Sequence, residues 1–412
     1  MLRIEAASLI PGDGDPVADA VVVADGATIS YAGPAASAPD TPRARLVRTA
    51  AVMPGMWDCH GHFLGSRSLD LSRLPQEPTP LRAARGARDL RNALDAGITS
   101  VREVGGLGVH LARAVAEGTL DGPAIYPAGA ILSTTGGHGD LHCYPLSWVG
   151  DFARLDGTLQ LADGVDECMR AVREQLRKGA KVIKVCASGG VLSEIDSPIH
   201  QQFTGAELRA IVEVAALAER VVAAHCHGKP GIMAAIEAGV RTIEHGSYLD
   251  KEACDAMAET GTILVPTRSI IEDMLRHLDD VPPYAAAKLT ALADIHADAM
   301  RAAIERGVTI AMGTDIGLTG MELPNSWGHN GAELPHLVAL GMSPLQAIAA
   351  ATAIAPRTLG PQAPRTGVLS RGYDADILTL DADPVADISV LAEPAHVTGV
   401  WTRGRQVKGV AA

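Results

Sequence analysis

The chain has 412 residues, 47% of them hydrophobic, enough for a substantial core and too many for one small domain. Its formal net charge is −13 and it has no basic cluster, which argues against nucleic acid as a partner. No apolar run reaches the roughly eighteen residues a membrane-spanning helix needs.

The start, Met1-Leu2-Arg3-Ile4-Glu5, lacks the charged-then-apolar pattern of a signal peptide. The cysteines (Cys59, Cys143, Cys168, Cys186, Cys226 and Cys254) form no close-spaced pair, so reduced thiols and a cytoplasmic location are expected. Aromatic residues are only 3%, so the core is built mainly of Ala, Val, Leu and Ile.

Residues 1–54 read as short strands broken by turns, with a hairpin signal at Asp25-Gly26. Eight strand-like runs follow, at residues 52–59, 99–103, 124–127, 182–185, 221–225, 242–245, 262–265 and 309–312. Ala- and Leu-rich stretches with charged faces, such as 81–96, 208–219 and 284–306, separate most of them. That alternation predicts an α/β fold, a (β/α)8 TIM barrel. The competing doubly wound sheet would usually carry a glycine-rich phosphate loop after its first strand. Here that strand ends in Asp58-Cys59-His60-Gly61-His62 instead. Residues 131–160 lack periodicity and read as a long loop, a frequent carrier of function. The tail repeats the hairpin style of the start. Residues 1–54 plus 362–412 are therefore expected to form one small composite β-sandwich domain, and residues 55–361 the barrel.

The chemistry lies at the ends of these strands. His60 and His62 stand at i and i+2, so in an extended strand both imidazoles project to one side. His225, His245 and Asp315 each end a strand-like run, on the face where barrel enzymes place their sites. If the strand continues, His227 shares a face with His225 and is a rival ligand; His225, directly at the strand end, is preferred and His227 is taken as a supporting group. Lys184 lies inside the apolar run Lys181-Val182-Ile183-Lys184-Val185. A buried ammonium is costly unless paired or neutralised. Reaction with carbon dioxide is one solution, giving a carbamate able to bridge two metals. Imidazole and carboxylate suit zinc and its neighbours, and the set points to a metal-dependent hydrolase. Strand alternation is read as turning Cys59, Cys186 and Cys226 away from the ligands, into packing roles.

These segments, with Ile183-Lys184-Val185-Cys186-Ala187-Ser188-Gly189-Gly190, His225-Cys226-His227-Gly228, Ile243-Glu244-His245-Gly246 and Gly313-Thr314-Asp315, resemble the amidohydrolase superfamily. The likeness is to its binuclear branch of imidazolonepropionase-like amidohydrolases, Xaa-Pro dipeptidases and ochratoxin-degrading amidases. It implies two divalent ions, zinc being the first expectation. His60, His62 and Asp315 would hold the more buried ion, His225 and His245 the more exposed one, and carboxylated Lys184 would bridge them. A hydroxide between the ions would attack an amide or peptide C–N bond in a dipeptide, N-acyl amino acid or ochratoxin-like amide. Asp315 would move the proton, and His138, in a loop like that of the amidase branch, would hold the substrate or its oxyanion. Tyr144 and His142 lie in the same loop, and Arg268, Lys229 and Arg102 are candidate cations for a substrate carboxylate. A cyclic amide, lactone or carbamate-like substrate is the alternative. A mononuclear deaminase is a further one, and a non-catalytic metal-binding barrel the reading from another class. Partners are expected to be a small-molecule amide or dipeptide and further copies of the chain in a homo-oligomer.

Overall fold

The computed structural model describes residues 1–155 and 157–409. In chain order they form β1 (Leu2–Leu9), β2 (Val17–Asp25), β3 (Thr28–Pro34), β4 (Arg45–Pro54) and β5 (Met56–Ser66). Next come α1 (Thr79–Asp95), β6 (Ile98–Glu103), α2 (Gly108–Ala116), β7 (Ala124–Pro127), β8 (Ile131–Ser133), α3 (Leu146–Leu155) and β9 (Leu159–Leu161). The middle of the chain continues with α4 (Val165–Lys178), β10 (Ile183–Cys186), α5 (Gly205–Ala216), β11 (Val222–Cys226), α6 (Lys229–Ala238), β12 (Thr242–His245), α7 (Lys251–Thr260) and β13 (Ile263–Val265). It closes with α8 (Arg268–Arg276), α9 (Pro283–Glu305), β14 (Ile316–Leu318), α10 (Glu333–Ala339), α11 (Pro344–Ala351), β15 (Ile377–Leu380), β16 (Val397–Thr402) and β17 (Arg405–Lys408).

Both ends of the chain share one seven-stranded sheet, in the order β17-β16-β15-β4-β1-β2-β3. β4 is its hinge, parallel to β1 on one side and antiparallel to β15 on the other. One face of this sheet buries Ile4, Val22, Ile29, Val52, Ile377 and Trp401 in a core of its own.

The middle of the chain is mixed α/β with two parallel sheets, β13-β12-β11-β10-β8-β9 and β14-β5-β6-β7. Single backbone bonds join their edges. Lys181 N–H donates to Pro127 O at 2.7 Å, and Cys59 N–H donates to Met312 O at 2.9 Å. Ala311 N–H reaches Leu264 O at 2.9 Å. The helices carry the punctuation their sequences demand. A capping box of Thr204 and Glu207 opens α5, and Gly179, left-handed at φ 99°, closes α4.

Three expected elements differ. The run 52–59 is two strands. The chain leaves the terminal sheet at Gly55, whose N–H donates to Asp376 O at 2.9 Å and where a Cβ would overlap Thr99. The stretch 131–160 contains β8, α3 and the start of β9, so it is not one loop. Residues 309–312 form only an isolated bridge, Ile310 to Leu264. Among the described residues, no helix is long and apolar enough to cross a membrane.

Candidate metal centre

β5 carries His60 and His62 along its length, with His60 buried and His62 nearly so. Asp315 stands just before β14, in a left-handed conformation (φ 60°). Its N–H donates to His60 O at 2.7 Å, which locks the turn onto β5. Asp315 Oδ1 lies 3.3 Å from His60 Nε2 and 3.1 Å from His62 Nε2. The buried carboxylate of Asp58 supports this corner. It accepts from His60 N–H at 3.0 Å, from the Thr314 hydroxyl at 2.6 Å and from Asn330 Nδ2 at 2.8 Å.

The second group stands on the other sheet. His245 ends β12, His225 is the penultimate residue of β11, and His227 follows that strand directly. The ring centroids of His225 and His245 are 4.6 Å apart, and those of His227 and His245 are 4.9 Å apart. His225, His227 and His245 each offer a ligand atom within 4.8 Å of the others, as do His60, His62 and Asp315. His227 therefore sits among the candidate ligands as well as His225, the one preferred from sequence.

Between the groups lies Lys184, 2% exposed. Its ammonium is 3.3 Å from His60 Nε2. Burial drives its pKa down, against the pull of Glu244. The imidazoles of the second group are likewise held neutral. Burial, reinforced by neighbouring rings, keeps His225 and His245 well below the usual histidine range. Burial also lowers His227 to about 3. Burial alone would raise Asp315, but His60, His62 and His245 outweigh it and keep the carboxylate ionised.

Outer hydrogen bonds choose the ring nitrogens. His60 Nδ1–H donates to Glu244 Oε2 at 2.7 Å and His62 Nδ1–H to Gly105 O at 2.8 Å. Each leaves Nε2 with a free lone pair, the form a metal ligand needs. His245 Nδ1 pairs with the Thr267 hydroxyl at 2.7 Å. Glu244 is in turn held by Arg102, at 2.7 and 2.8 Å. A donor set of neutral imidazoles, an ionised carboxylate and a deprotonatable lysine fits divalent metal of the zinc kind.

A cavity of about 110 Å³ opens onto both groups. Leu64, Leu69, Leu71, Leu74, Leu192 and Ile270 supply its apolar lining, and His138, Cys186 and Asn325 also face it. Lys184 and Cys186 are two apart on β10 and so share a face. Cys186 therefore lines the cavity, contrary to the packing role expected of it.

The remaining expected contacts separate cleanly. His138 lines the cavity and stacks on His225 at 4.2 Å. Tyr144 does not line it. Its hydroxyl donates to Ser72 O at 2.7 Å and accepts from Gln76 Nε2 at 2.8 Å, bracing the segment that supplies Leu71 and Leu74. His142 Nδ1 accepts from Ile195 N–H at 3.3 Å, outside the cavity lining. Lys229 is tied to Asp250 and Glu252, both at 2.6 Å, on the surface. Arg268 is spent on Glu272 and Ala293 O, and Arg102 on Glu244, Thr242 and Cys59 O. None of the three cations lines the cavity, which corrects their expected role.

The profile described as "Amidohydrolase family" matches residues 51–407. The chain is 45% identical to ochratoxinase of Aspergillus niger, over 98% of this chain and 86% of that one. The crystal structure of A. niger ochratoxinase superposes with a TM-score of 0.92 at 44% identity, covering 99% and 95% of the two chains. A prolidase complexed with N-methylphosphonate-L-proline gives a TM-score of 0.90 at 33% identity, covering 99% and 100%. A Xaa-Pro dipeptidase with bound methionine in the active site gives 0.87 at 31%, again covering 99% and 100%.

Proposed function

The chain belongs to the amidohydrolase family and is a metal-dependent hydrolase of carbon–nitrogen bonds; on that premise we propose a binuclear amidase acting on N-acyl amino acids or dipeptides with an apolar side group. His60, His62 and Asp315 would hold one ion, His225 and His245 the other, and a carboxylated Lys184 would bridge them. Zinc is the metal this donor set favours. The reading is carried by one observation: Lys184 is buried between two ligand groups and, beside His60, has no hydrogen-bond or ion-pair partner among the described residues.

When bound, the two ions supply Lewis acidity and lower the pKa of water towards about 7. Asp315 takes a proton from the attacking water at Oδ1 and returns it to the leaving amine. Oδ1 stands 3.3 and 3.1 Å from Nε2 of His60 and His62, which places that oxygen at the cavity's metal end. The leucine-rich lining receives an apolar group and excludes water.

Other features support the wider reading. The backbone bonds joining the two parallel sheets are those a closed (β/α)8 barrel would make. We take residues 55–361 as that barrel and residues 1–54 with 362–412 as the accessory domain. All six cysteines are free, in keeping with a reducing cytoplasm. Because the cavity lining contains no arginine, a substrate without a free carboxylate, such as a cyclic amide or carbamate-like compound, is the second reading.

The test is hydrolysis of a dipeptide and N-acyl amino acid panel, with metal content measured on the same sample. Two metals per chain and turnover on apolar members are expected. The Lys184→Ala variant should fold, bind less metal and lose activity. A folded Lys184→Ala that keeps full activity would overturn the bridged-metal reading.

A further inference from the structure

His138 is the one cavity residue whose ring is held by a chain of hydrogen bonds reaching a distant helix. Its Nδ1 lies 2.8 Å from the Ser193 hydroxyl. That hydroxyl in turn makes a short bond to Asp196 Oδ1. Asp196 Oδ2 accepts from Gly190 N–H and from Gln202 Nε2, both at 3.0 Å. Lys288, on α9, closes the chain. Its ammonium donates to Gly190 O at 3.1 Å, Ser193 O at 2.5 Å and Asp196 O at 2.7 Å, and it lies 3.3 Å from Asp196 Oδ1.

Proton counting settles the direction. Burial alone would raise Asp196, but His138, Ser193 and Lys288 outweigh it and keep the carboxylate ionised. An ionised carboxylate only accepts, so Ser193 spends its single hydrogen on Asp196. The Ser193 oxygen can then only accept from His138, and Nδ1 must carry the ring hydrogen. The other nitrogen, Nε2, keeps its lone pair and has no protein partner among the described residues. A neutral ring in this state cannot donate to an oxyanion from Nε2. It accepts hydrogen bonds instead.

We infer that Ser193, Asp196 and Lys288 are positioning residues that act through His138, fixing its ring against His225 and presenting Nε2 to substrate as a hydrogen-bond acceptor. The natural donor is the N–H of an intact secondary amide. A tertiary amide, as in an Xaa-Pro bond, has no such hydrogen. The substrate class proposed above is thereby narrowed to secondary amides. The narrowing rests on the amidase reading, whereas the tautomer does not.

Two measurements test it. On the metal-loaded protein labelled with nitrogen-15 at histidine, long-range nitrogen–proton NMR reads the tautomer directly, with His138→Gln assigning the signals. A protonated Nδ1 and a bare Nε2 are expected. A protonated Nε2 overturns the inference whether or not any substrate is turned over. In kinetics, Ser193→Ala should lower kcat/KM on secondary amides by about 10–100-fold. Adding it to His138→Gln should cost little more, because both changes act on one ring. Additive losses would mark a general loop defect and overturn it. Lys288→Met repeats the cycle should Ser193→Ala misfold, and Lys288→Arg should restore part of the activity. A panel showing no amidase activity, with the expected tautomer intact, would sink the functional reading and leave the positioning chain standing.

Discussion

His60 Nδ1 and Glu244 Oε2 are 2.7 Å apart, and both side chains are almost wholly buried. Arg102 grips both oxygens of Glu244. Burial alone would raise its pKa, but Arg102 and His60 hold it far below the carboxylate range. One carboxylate thus fixes the tautomer of His60 and neutralises a buried guanidinium.

The Glu244→Gln variant removes that charge and strands Arg102. Metal affinity should fall about 10–100-fold, as for other partners of metal-bound histidines. The fold should lose on the order of 3–5 kcal/mol, the usual cost of orphaning a buried charge. Metal titration and chemical denaturation of the same protein separate the two effects. Unchanged affinity would count against the role given to His60.

Asp89, on α1, offers a pH test away from the metal groups. Burial pushes its pKa up to about 7, and only the Thr319 hydroxyl, at 2.6 Å, and Arg85 oppose this. The folded chain therefore holds a proton there that the unfolded chain releases near 4. The stability from this site is full below about pH 4 and is lost as pH rises towards and through about 7. Asp89→Asn should stabilise the fold at pH 8 by about 1–3 kcal/mol, seen as a higher melting temperature, and do little at pH 4. Melting curves at the two pH values check it. A variant equally stabilised at both would be wrong for this account.

Gly190 lies directly under the His138 ring, and a Cβ there would overlap Nδ1 and Cε1. Gly190→Ala should push the ring off its place above His225. A displacement of about 1 Å at a substrate-facing group can cost on the order of 100-fold in rate. Thermal stability should change far less than kcat. Wild-type kinetics from Gly190→Ala would show that the ring position is immaterial.

Lys229 gives a prediction of no effect. It is partly exposed and already paired with two carboxylates. Surface ion pairs contribute about 0–1 kcal/mol. Lys229→Met should leave KM for carboxylate-bearing substrates within about twofold, as initial-rate kinetics would show. A large rise in KM would return this lysine to the site.

The metal groups were legible because two short-range rules place them. Residues two apart on a strand share a face, which joins His60 to His62. Neighbouring parallel strands end along one edge of their sheet, which gathers His225 and His245. The same first rule, applied with care, would have put Cys186 beside Lys184. His227 lies past the end of β11, where strand periodicity no longer says which way a side chain turns. The break at Gly55 was hidden because the apolar run 52–59 is buried in both sheets it serves. Lys288 was invisible for another reason. It is a lone lysine on a long helix, 92 residues from Asp196, and nothing local marks which distant loop an ammonium will meet. The candidate cations were claimed by carboxylates instead, Arg102 by Glu244, Lys229 by Asp250 and Glu252, and Arg268 by Glu272 one turn along its own helix.

The terminal sheet sets an order of assembly. Thr49 donates to Leu380 O across 331 residues, and β4 has β15 as its neighbour on one flank. During synthesis the β4 edge stays open until β15, 331 residues further along, has left the ribosome, an interval of about half a minute at 5–20 residues per second. An unpaired strand edge invites association with other chains for that long. Strand β15 is therefore what ends the nascent chain's vulnerability at this edge.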